Sequence, residues 1–295
     1  MLRRLELDVR HRLDGLLAGD YLAVAAGPGS EPAGARTYQP GDDARRIDWN
    51  LSARALEPHV RTTEADRELE TWAIVDRSPS MDFGTTQREK REAALAALAA
   101  FGAISVRGGS RLGVVVTGVD ELRRLRASNN RAAMMAALST VFDTPRRDAV
   151  GTDDPDLAAA LQFVHRTHLR RGQVVVISDF LDSSGWPDGL RRLSLRHQVI
   201  CVQVTDPREF ELPPVGMLAV VDTETGRQLH VQTNNTRLRA RYAAAAAARQ
   251  EGIETSIRQA GAEHLHLSTD RDWLHDIARF ASRRRRRHYI RKDVR

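Results

Sequence analysis

The pattern of apolar and polar positions changes near residue 69. Downstream of that point, short runs rich in Val, Ile and Leu alternate with longer segments in which apolar residues recur at helical spacing. Short apolar runs are typical of strands buried on both faces, and the longer periodic segments are typical of amphipathic helices. Their alternation predicts an α/β fold: a doubly wound, mostly parallel sheet with helices on both faces.

The individual elements follow from the same pattern. Residues 121–127 are more polar than the other runs and predict a short edge strand, while residues 207–233 predict an insertion that contains a hairpin with its turn near residue 225. The other predicted strands are 70–76, 111–118, 173–180, 198–206 and 264–268. The predicted helices are 90–106, 129–142, 154–171, 186–197, 236–261 and 272–284.

The chain is predicted to have three regions. Residues 1–68 form an N-terminal attachment, with an amphipathic opening helix, a loop at 27–34 rich in Gly and Pro, and an irregular or β-rich segment. Residues 69–282 form the α/β domain. Residues 283–295 form a basic C-terminal tail.

Hydroxyl and carboxylate side chains cluster in the predicted fold where strands end. Asp76, Ser78 and Ser80 follow the first strand, Thr152 precedes a helix, and Asp179 closes the strand VVVIS. In open α/β sheets, ligands bind beyond the carboxyl ends of the strands. An all-oxygen set of this kind suits a hard cation, so we expect Mg²⁺ or Mn²⁺ at these five residues. The competing interpretation is a set of helix caps and turns, in which Ser and Asp are also favoured.

The segments DRSPS, GT before a helix and SD at a strand end together resemble the metal-ion-dependent adhesion site of von Willebrand factor A domains. The resemblance implies a von Willebrand A-like sheet in which Ser78, Ser80 and Thr152 bind the cation directly. It implies that Asp76 and Asp179 act through water. One departure concerns Phe180, because the family usually has Gly after the last aspartate, and this leaves the shape of that loop open.

The stretch RTYQPGDDARRIDWNLSAR at 36–54 resembles the signature of the domain of unknown function family 58. Members of that family pair this segment with a von Willebrand A-like fold and commonly accompany MoxR-type AAA+ ATPases, which implies a role as an adaptor or co-chaperone. Its alternating acids and arginines, Asp42, Asp43 and Asp48 among them, are expected to form ion pairs that hold an irregular attachment, with Trp49 as a core anchor. The alternative is a partner surface near the cation site.

Charge and cysteine content narrow the function classes. The net charge is +6, but residues 282–295 alone carry eight Arg or Lys against Asp293, so the rest of the chain is nearly neutral. The arginine run in this tail has three interpretations: a solvated helix end, a contact with nucleic acid, or a contact with an acidic partner protein. Cys201, the only cysteine, lies in an apolar run and is expected to be buried. No segment has the length of a membrane span, and the start lacks a signal peptide, which predicts a cytoplasmic protein.

The sequence therefore predicts a non-enzymatic, Mg²⁺-dependent interaction module that binds a carboxylate of a partner, a MoxR-type ATPase or its client, through surfaces that remain unknown. One alternative is a metal-dependent phosphoester hydrolase. It is disfavoured because Ser78 stands where a haloacid-dehalogenase nucleophile motif has its second Asp. Another is nucleic-acid binding through the arginine tail, disfavoured because Tyr289 is the only aromatic residue among the arginines.

Overall fold

A computed structural model gives the fold as two compact units, Ala18–Glu68 and a larger unit of Met1–Leu17 with Leu69–Arg295. The structure describes residues 2–3, 7, 11–12, 35–39, 44, 47–61, 70–86, 88–107, 109–118, 120–146, 156–182, 185–221 and 228–292.

The larger unit is built on a six-stranded sheet. In order across the sheet, its strands are β10 (Glu263–Ser268), β7 (Gln198–Thr205), β6 (Gln173–Ser178), β3 (Glu70–Asp76), β4 (Arg111–Thr117) and β5 (Arg123–Ser128). All neighbours are parallel except β4 and β5, which pair antiparallel with a register shift between Leu112 and Val114. The polar segment predicted at the edge is thus the antiparallel edge strand. The mostly parallel sheet agrees with the doubly wound arrangement that the sequence predicts.

Helices cover both faces of this sheet, which confirms the predicted fold class. The helices α2, α3 and α7 pack on one face, and α4, α5 and α6 pack on the other over a core that includes Trp72, Ile74 and Leu161. The bounds are α2 Lys90–Arg107, α3 Arg131–Phe142, α4 Leu157–Thr167, α5 Trp186–Ser194, α6 Thr236–Gln259 and α7 Trp273–Lys292. Cys201 is fully buried in β7, as expected.

The hairpin and the arginine run complete the larger unit. Strands β8 (Met217–Val221) and β9 (Gln228–Gln232) form a separate antiparallel ribbon inside the predicted insertion. Helix α7 continues to Lys292, so the arginine run belongs to a helix and is not a separate tail, and Arg284 donates to Glu263 and Gln198. None of the described helices combines the length and the apolar character that a membrane span requires.

The smaller unit contains part of the signature segment. Strands β1 (Ala35–Thr37) and β2 (His59–Arg61) pair antiparallel, and helix α1 (Trp49–Ala55) begins after Asp48, whose carboxylate accepts from the Leu51 amide at 3.1 Å. Asp42 and Asp43, predicted to form ion pairs, lie outside the described residues. The prediction that Trp49 is a core anchor is wrong, because its side chain is 72% exposed at the first turn of α1.

A histidine pair lies at the end of the sheet opposite to the strand-end aspartates. The rings of His168 and His197 stack with centroids 4.9 Å apart, and the His168 Nδ1 atom lies 3.2 Å from the Glu70 carboxylate. Both rings are buried. Burial, together with the nearby His168 and Arg196, lowers the pKa of His197 to about 4.

We expect His197 to destabilise the protein as the pH falls from about 6.5 towards 4, while Asp76, whose pKa is raised to about 6, contributes in the opposite direction. In that window the unfolded chain protonates His197 at its ordinary pKa of 6.5, whereas the folded protein keeps it neutral down to about 4, so acid favours unfolding. Urea midpoints at pH 7 and pH 5 would measure the loss. Between pH 7 and pH 5, His197→Phe should lose less stability than the wild type. His230→Gln, at an exposed ribbon position, should behave as the wild type does. Equal changes of stability in the wild type and His197→Phe would contradict the role assigned to His197.

Candidate functional site

The carboxyl end of β3 continues into a tight loop that brings Asp76, Ser78 and Ser80 together. The Asp76 carboxylate accepts from the Ser78 amide at 2.8 Å and from the Ser178 hydroxyl at 2.6 Å. A single 3-10 turn, Pro79–Asp82, then places the Ser80 hydroxyl oxygen 3.1 Å from that of Ser78. The spacing of the motif thus puts both hydroxyls beside a strand-end carboxylate.

Asp179 joins this cluster from the neighbouring strand. β6 ends at Ser178, one residue before the predicted aspartate. Asp179 accepts from the Leu181 amide at 3.1 Å and lies near the Ser80 hydroxyl. β3 and β6 are adjacent and parallel, so Asp76 and Asp179 end on the same edge of the sheet. The structure therefore brings together four of the five predicted ligands, and the fifth, Thr152, lies outside the described residues.

Phe180 preserves the loop shape that a Gly would give. Its φ is 59°, in the left-handed region that a Phe rarely adopts. The Phe180 ring is buried and packs edge-to-face on Trp186 with centroids 5.1 Å apart. Because this packing offsets the backbone strain, the departure from the family pattern leaves Asp179 in the cluster.

The sequence prediction missed Lys90, which contacts the cluster, and Glu209, which contacts Lys90. Lys90, at the start of α2, is completely buried, and its ammonium donates to Asp179 at 2.7 Å and to Glu209. Glu209 lies on a 3-10 turn, Pro207–Glu209, that follows β7. One signal was available: in a chain whose basic residues are almost all Arg, Lys90 is one of only two lysines.

The buried charges shift the acidities of these groups. Burial raises the pKa of Asp76 to about 6, and the nearby Asp179 carboxylate adds to that effect. Burial alone would raise the pKa of Asp179 as well, but the Lys90 ammonium outweighs it and holds that pKa below its ordinary value. Of these two carboxylates, Asp76 is therefore the one whose negative charge the protein compensates less.

The loop that carries the two serines is anchored from both sides. The buried Arg77 guanidinium pairs with Asp82 at 3.0 Å and donates to the Thr144 carbonyl oxygen at 3.3 Å. Asp82 also pairs with Arg91 at 3.2 Å. Gly118, after β4, packs directly against the loop backbone. The position of Ser78 is therefore fixed by backbone contacts as well as by its own hydrogen bonds.

The donor set fits a small divalent cation. In octahedral coordination with bonds of about 2.1 Å, adjacent oxygens lie about 3.0 Å apart. The separation of the Ser78 and Ser80 hydroxyl oxygens is 3.1 Å. A buried carboxylate of raised pKa at the same place, that of Asp76, would favour a cation that neutralises it. Among the described residues, no group of three or more His, Cys, Asp or Glu forms an alternative metal site.

Sequence comparisons identify relatives over nearly the whole chain. The family described as "Protein of unknown function DUF58" matches residues 34–252. This chain belongs to the DUF58 family. An uncharacterized protein of Mycobacterium tuberculosis (strain ATCC 25618 / H37Rv) is 46% identical over 287 residues, which cover 97% of this chain and 89% of that protein. An uncharacterized protein of Mycobacterium bovis has the same identity and coverage. The DUF58 match includes the candidate cluster as well as Lys90 and Glu209.

Solved structures that match this chain have low sequence identity to it. The conserved hypothetical protein BatB from Bacteroides thetaiotaomicron superimposes with a TM-score of 0.47 at 16% identity, covering 73% of this chain and 98% of that one. The SpRpn10 VWA domain superimposes with a TM-score of 0.41 at 14% identity, covering 70% of this chain and 93% of that one.

Proposed function

We propose that this DUF58 protein is a Mg²⁺-dependent interaction module, in which the cation bound at the strand-end cluster receives a carboxylate from a partner protein. Ser78 and Ser80 would bind the cation directly, with Asp76 and Asp179 acting through water and Thr152 as the third hydroxyl. The observation that carries the proposal is the 3.1 Å separation of the two serine hydroxyls beside two buried carboxylates. Neutral hydroxyl ligands leave the cation with positive charge, and this favours an anionic partner group.

The cluster supports binding more than catalysis. Both oxygens of Asp76 already accept hydrogen bonds, from the Ser78 amide and the Ser178 hydroxyl, so this carboxylate is held as a structural anion and not as a free nucleophile. The partner that we propose is a MoxR-type AAA+ ATPase or a client of one, and this part rests on the resemblance of residues 36–54 to the family signature.

The test is to remove one hydroxyl ligand. Ser78→Ala should weaken Mg²⁺ binding, measured by isothermal titration calorimetry, by at least about tenfold, because the variant lacks a direct ligand while its backbone amide still donates to Asp76. Capture of a co-purified MoxR-type ATPase by the wild type should require Mg²⁺, and it should fail in EDTA and in the Ser78→Ala variant.

Ser110→Ala is the matched control, since Ser110 precedes β4 at the opposite edge of the sheet. It should bind Mg²⁺ as the wild type does. Equal Mg²⁺ affinity of wild type and Ser78→Ala would refute the proposed ligand, and capture that persists in EDTA would refute a metal-dependent contact.

A further inference from the structure

A buried ammonium lies where a cation site should have only anions. The Lys90 side chain is completely buried, and its two acidic partners, Asp179 and Glu209, have side chains only 2% and 14% exposed. Among the described residues, Lys90 is the cation that forms a salt bridge with Asp179. Lys90 therefore supplies one positive charge, without solvent screening, in direct contact with a residue of the candidate cluster.

This charge has a consequence for any cation that binds the cluster. The carboxylates of Asp179 and Glu209 share one buried ammonium, and Asp76 is a third acidic group close to Asp179. The ammonium repels a divalent cation and weakens its attraction to Asp179. It also reduces the negative charge that the loaded cluster presents to an approaching carboxylate. A change at Lys90 and a change at Glu209 should therefore act with opposite signs.

We propose that Lys90 is a built-in counter-ion that determines the cation and anion affinities of this cluster, with its charge balanced by Glu209. The inference rests on the proposed function and adds the residues that regulate it. Lys90 acts through Asp179 and is a positioning residue, not a ligand. The Lys90 ammonium makes Mg²⁺ binding weaker than it would be if the carboxylates had no counter-ion. Because it also reduces the negative charge of the cluster, the bound cation can still accept an anion.

The alternative is that Lys90 only stabilises the fold. A buried ion pair of this kind strongly destabilises a protein when one partner is removed. Such a role predicts that substitution of either Lys90 or Glu209 lowers the melting temperature, and that Mg²⁺ affinity then changes in the same direction in both variants or in neither. The counter-ion role predicts changes in opposite directions.

The experiment measures Mg²⁺ affinity by isothermal titration calorimetry in the full chain. Lys90→Met keeps most of the length of the side chain and removes its charge, and it should tighten Mg²⁺ binding by about tenfold or more. Glu209→Gln keeps an oxygen acceptor and removes a negative charge, and it should weaken Mg²⁺ binding by a similar factor. The double variant has the formal charge of the wild type and should return to within about threefold of its affinity. Arg258→Met, on an exposed part of α6, controls for the loss of a distant positive charge and should leave the affinity unchanged.

Acetate serves as the probe for the partner carboxylate. At equal ionic strength, replacing chloride by acetate should tighten apparent Mg²⁺ binding in the wild type and more so in Glu209→Gln, and it should have no effect in Lys90→Met. Mg²⁺ binding that is unchanged or weaker in Lys90→Met, or changes of the same sign in both single variants, would overturn the counter-ion role while leaving the proposed function standing. Absence of Mg²⁺ binding by the wild type would overturn both. If Lys90→Met does not fold, the Glu209→Gln and double variants still decide the question. A double variant that folds and binds Mg²⁺ as the wild type does supports the counter-ion role, and one that does not opposes it.

Discussion

Replacement of Gly118 by alanine is expected to destabilise the protein and to displace the loop that carries Ser78. A Cβ atom built on Gly118 would lie 2.2 Å from the Ser78 amide nitrogen and 2.7 Å from the Arg77 carbonyl carbon. Both are backbone atoms, which cannot rotate away as a flexible side chain can. The φ of Gly118 is 76°, so alanine would also adopt a left-handed conformation, at a cost of about 1–2 kcal/mol. Overpacking adds about 1–3 kcal/mol.

Gly109 offers a matched control that separates strain from crowding. Its φ is 71°, close to that of Gly118, but no atom lies within 4 Å of a Cβ built on it. Gly109→Ala should therefore lose only the conformational part, about 1–2 kcal/mol. Urea denaturation of both variants gives the difference. Calorimetry should show that Gly118→Ala loses Mg²⁺ affinity and that Gly109→Ala keeps it. Equal losses of stability in the two variants would show that Gly118 does not crowd Ser78.

The strands and helices of the sheet could be predicted because burial determines their sequence pattern. β3, β4, β6 and β7 are buried on both faces and read as continuous apolar runs, and the edge strand β5 is more polar because it is partly exposed. Trp49 shows where this reasoning fails. Large aromatic residues are usually buried, but the composition of the chain around Trp49 does not reveal which side of a seven-residue helix faces solvent.

The candidate cluster was partly visible in the sequence for a topological reason. Asp76 and Asp179 follow apolar strands, and parallel strands that are adjacent in the sheet end on the same edge. The Lys90 contact was not predictable in this way. Lys90 begins a helix and lies 89 positions from Asp179, and its contact with Asp179 depends on how α2 packs on the sheet, not on any local pattern. Burial of a lysine is an exception to its usual exposure and has no sequence signal except the rarity of Lys here.

Asp206 shows that a strand-end position does not by itself predict a role in the cluster. Its sequence context matches that of Asp76 and Asp179, but its role differs. It directly follows the apolar strand β7, as Asp76 and Asp179 end or follow β3 and β6. In the structure Asp206 is fully buried and accepts four hydrogen bonds. The donors are the Thr85 amide and hydroxyl, the Thr269 hydroxyl and the Arg208 amide. Burial would raise the pKa of Asp206, but these hydrogen bonds, led by those of Thr85 and Thr269, hold it below its ordinary value. A strand-end aspartate can thus be a structural anion that ties the loop before α2 to the ends of β7 and β10.

Asp206→Ala should therefore be among the most destabilising substitutions in the chain. It would leave four donors without their acceptor, and three of them, on Thr85 and Thr269, are far from Asp206 in sequence. Each unsatisfied buried group costs about 1–3 kcal/mol. Water that enters the space would recover part of this, so we expect a loss of at least about 3 kcal/mol in the free energy of unfolding. Asp206→Asn keeps one oxygen acceptor and should lose less. Urea denaturation measures both, with Asp188→Asn as the control, since the Asp188 side chain is 73% exposed and should change stability by less than about 0.5 kcal/mol. If Asp206→Ala were as mild as Asp188→Asn, the hydrogen bonds to Asp206 would not be what holds these segments together. If it instead abolished Mg²⁺ binding without lowering stability, Asp206 would belong with Asp76 and Asp179 in the cation site.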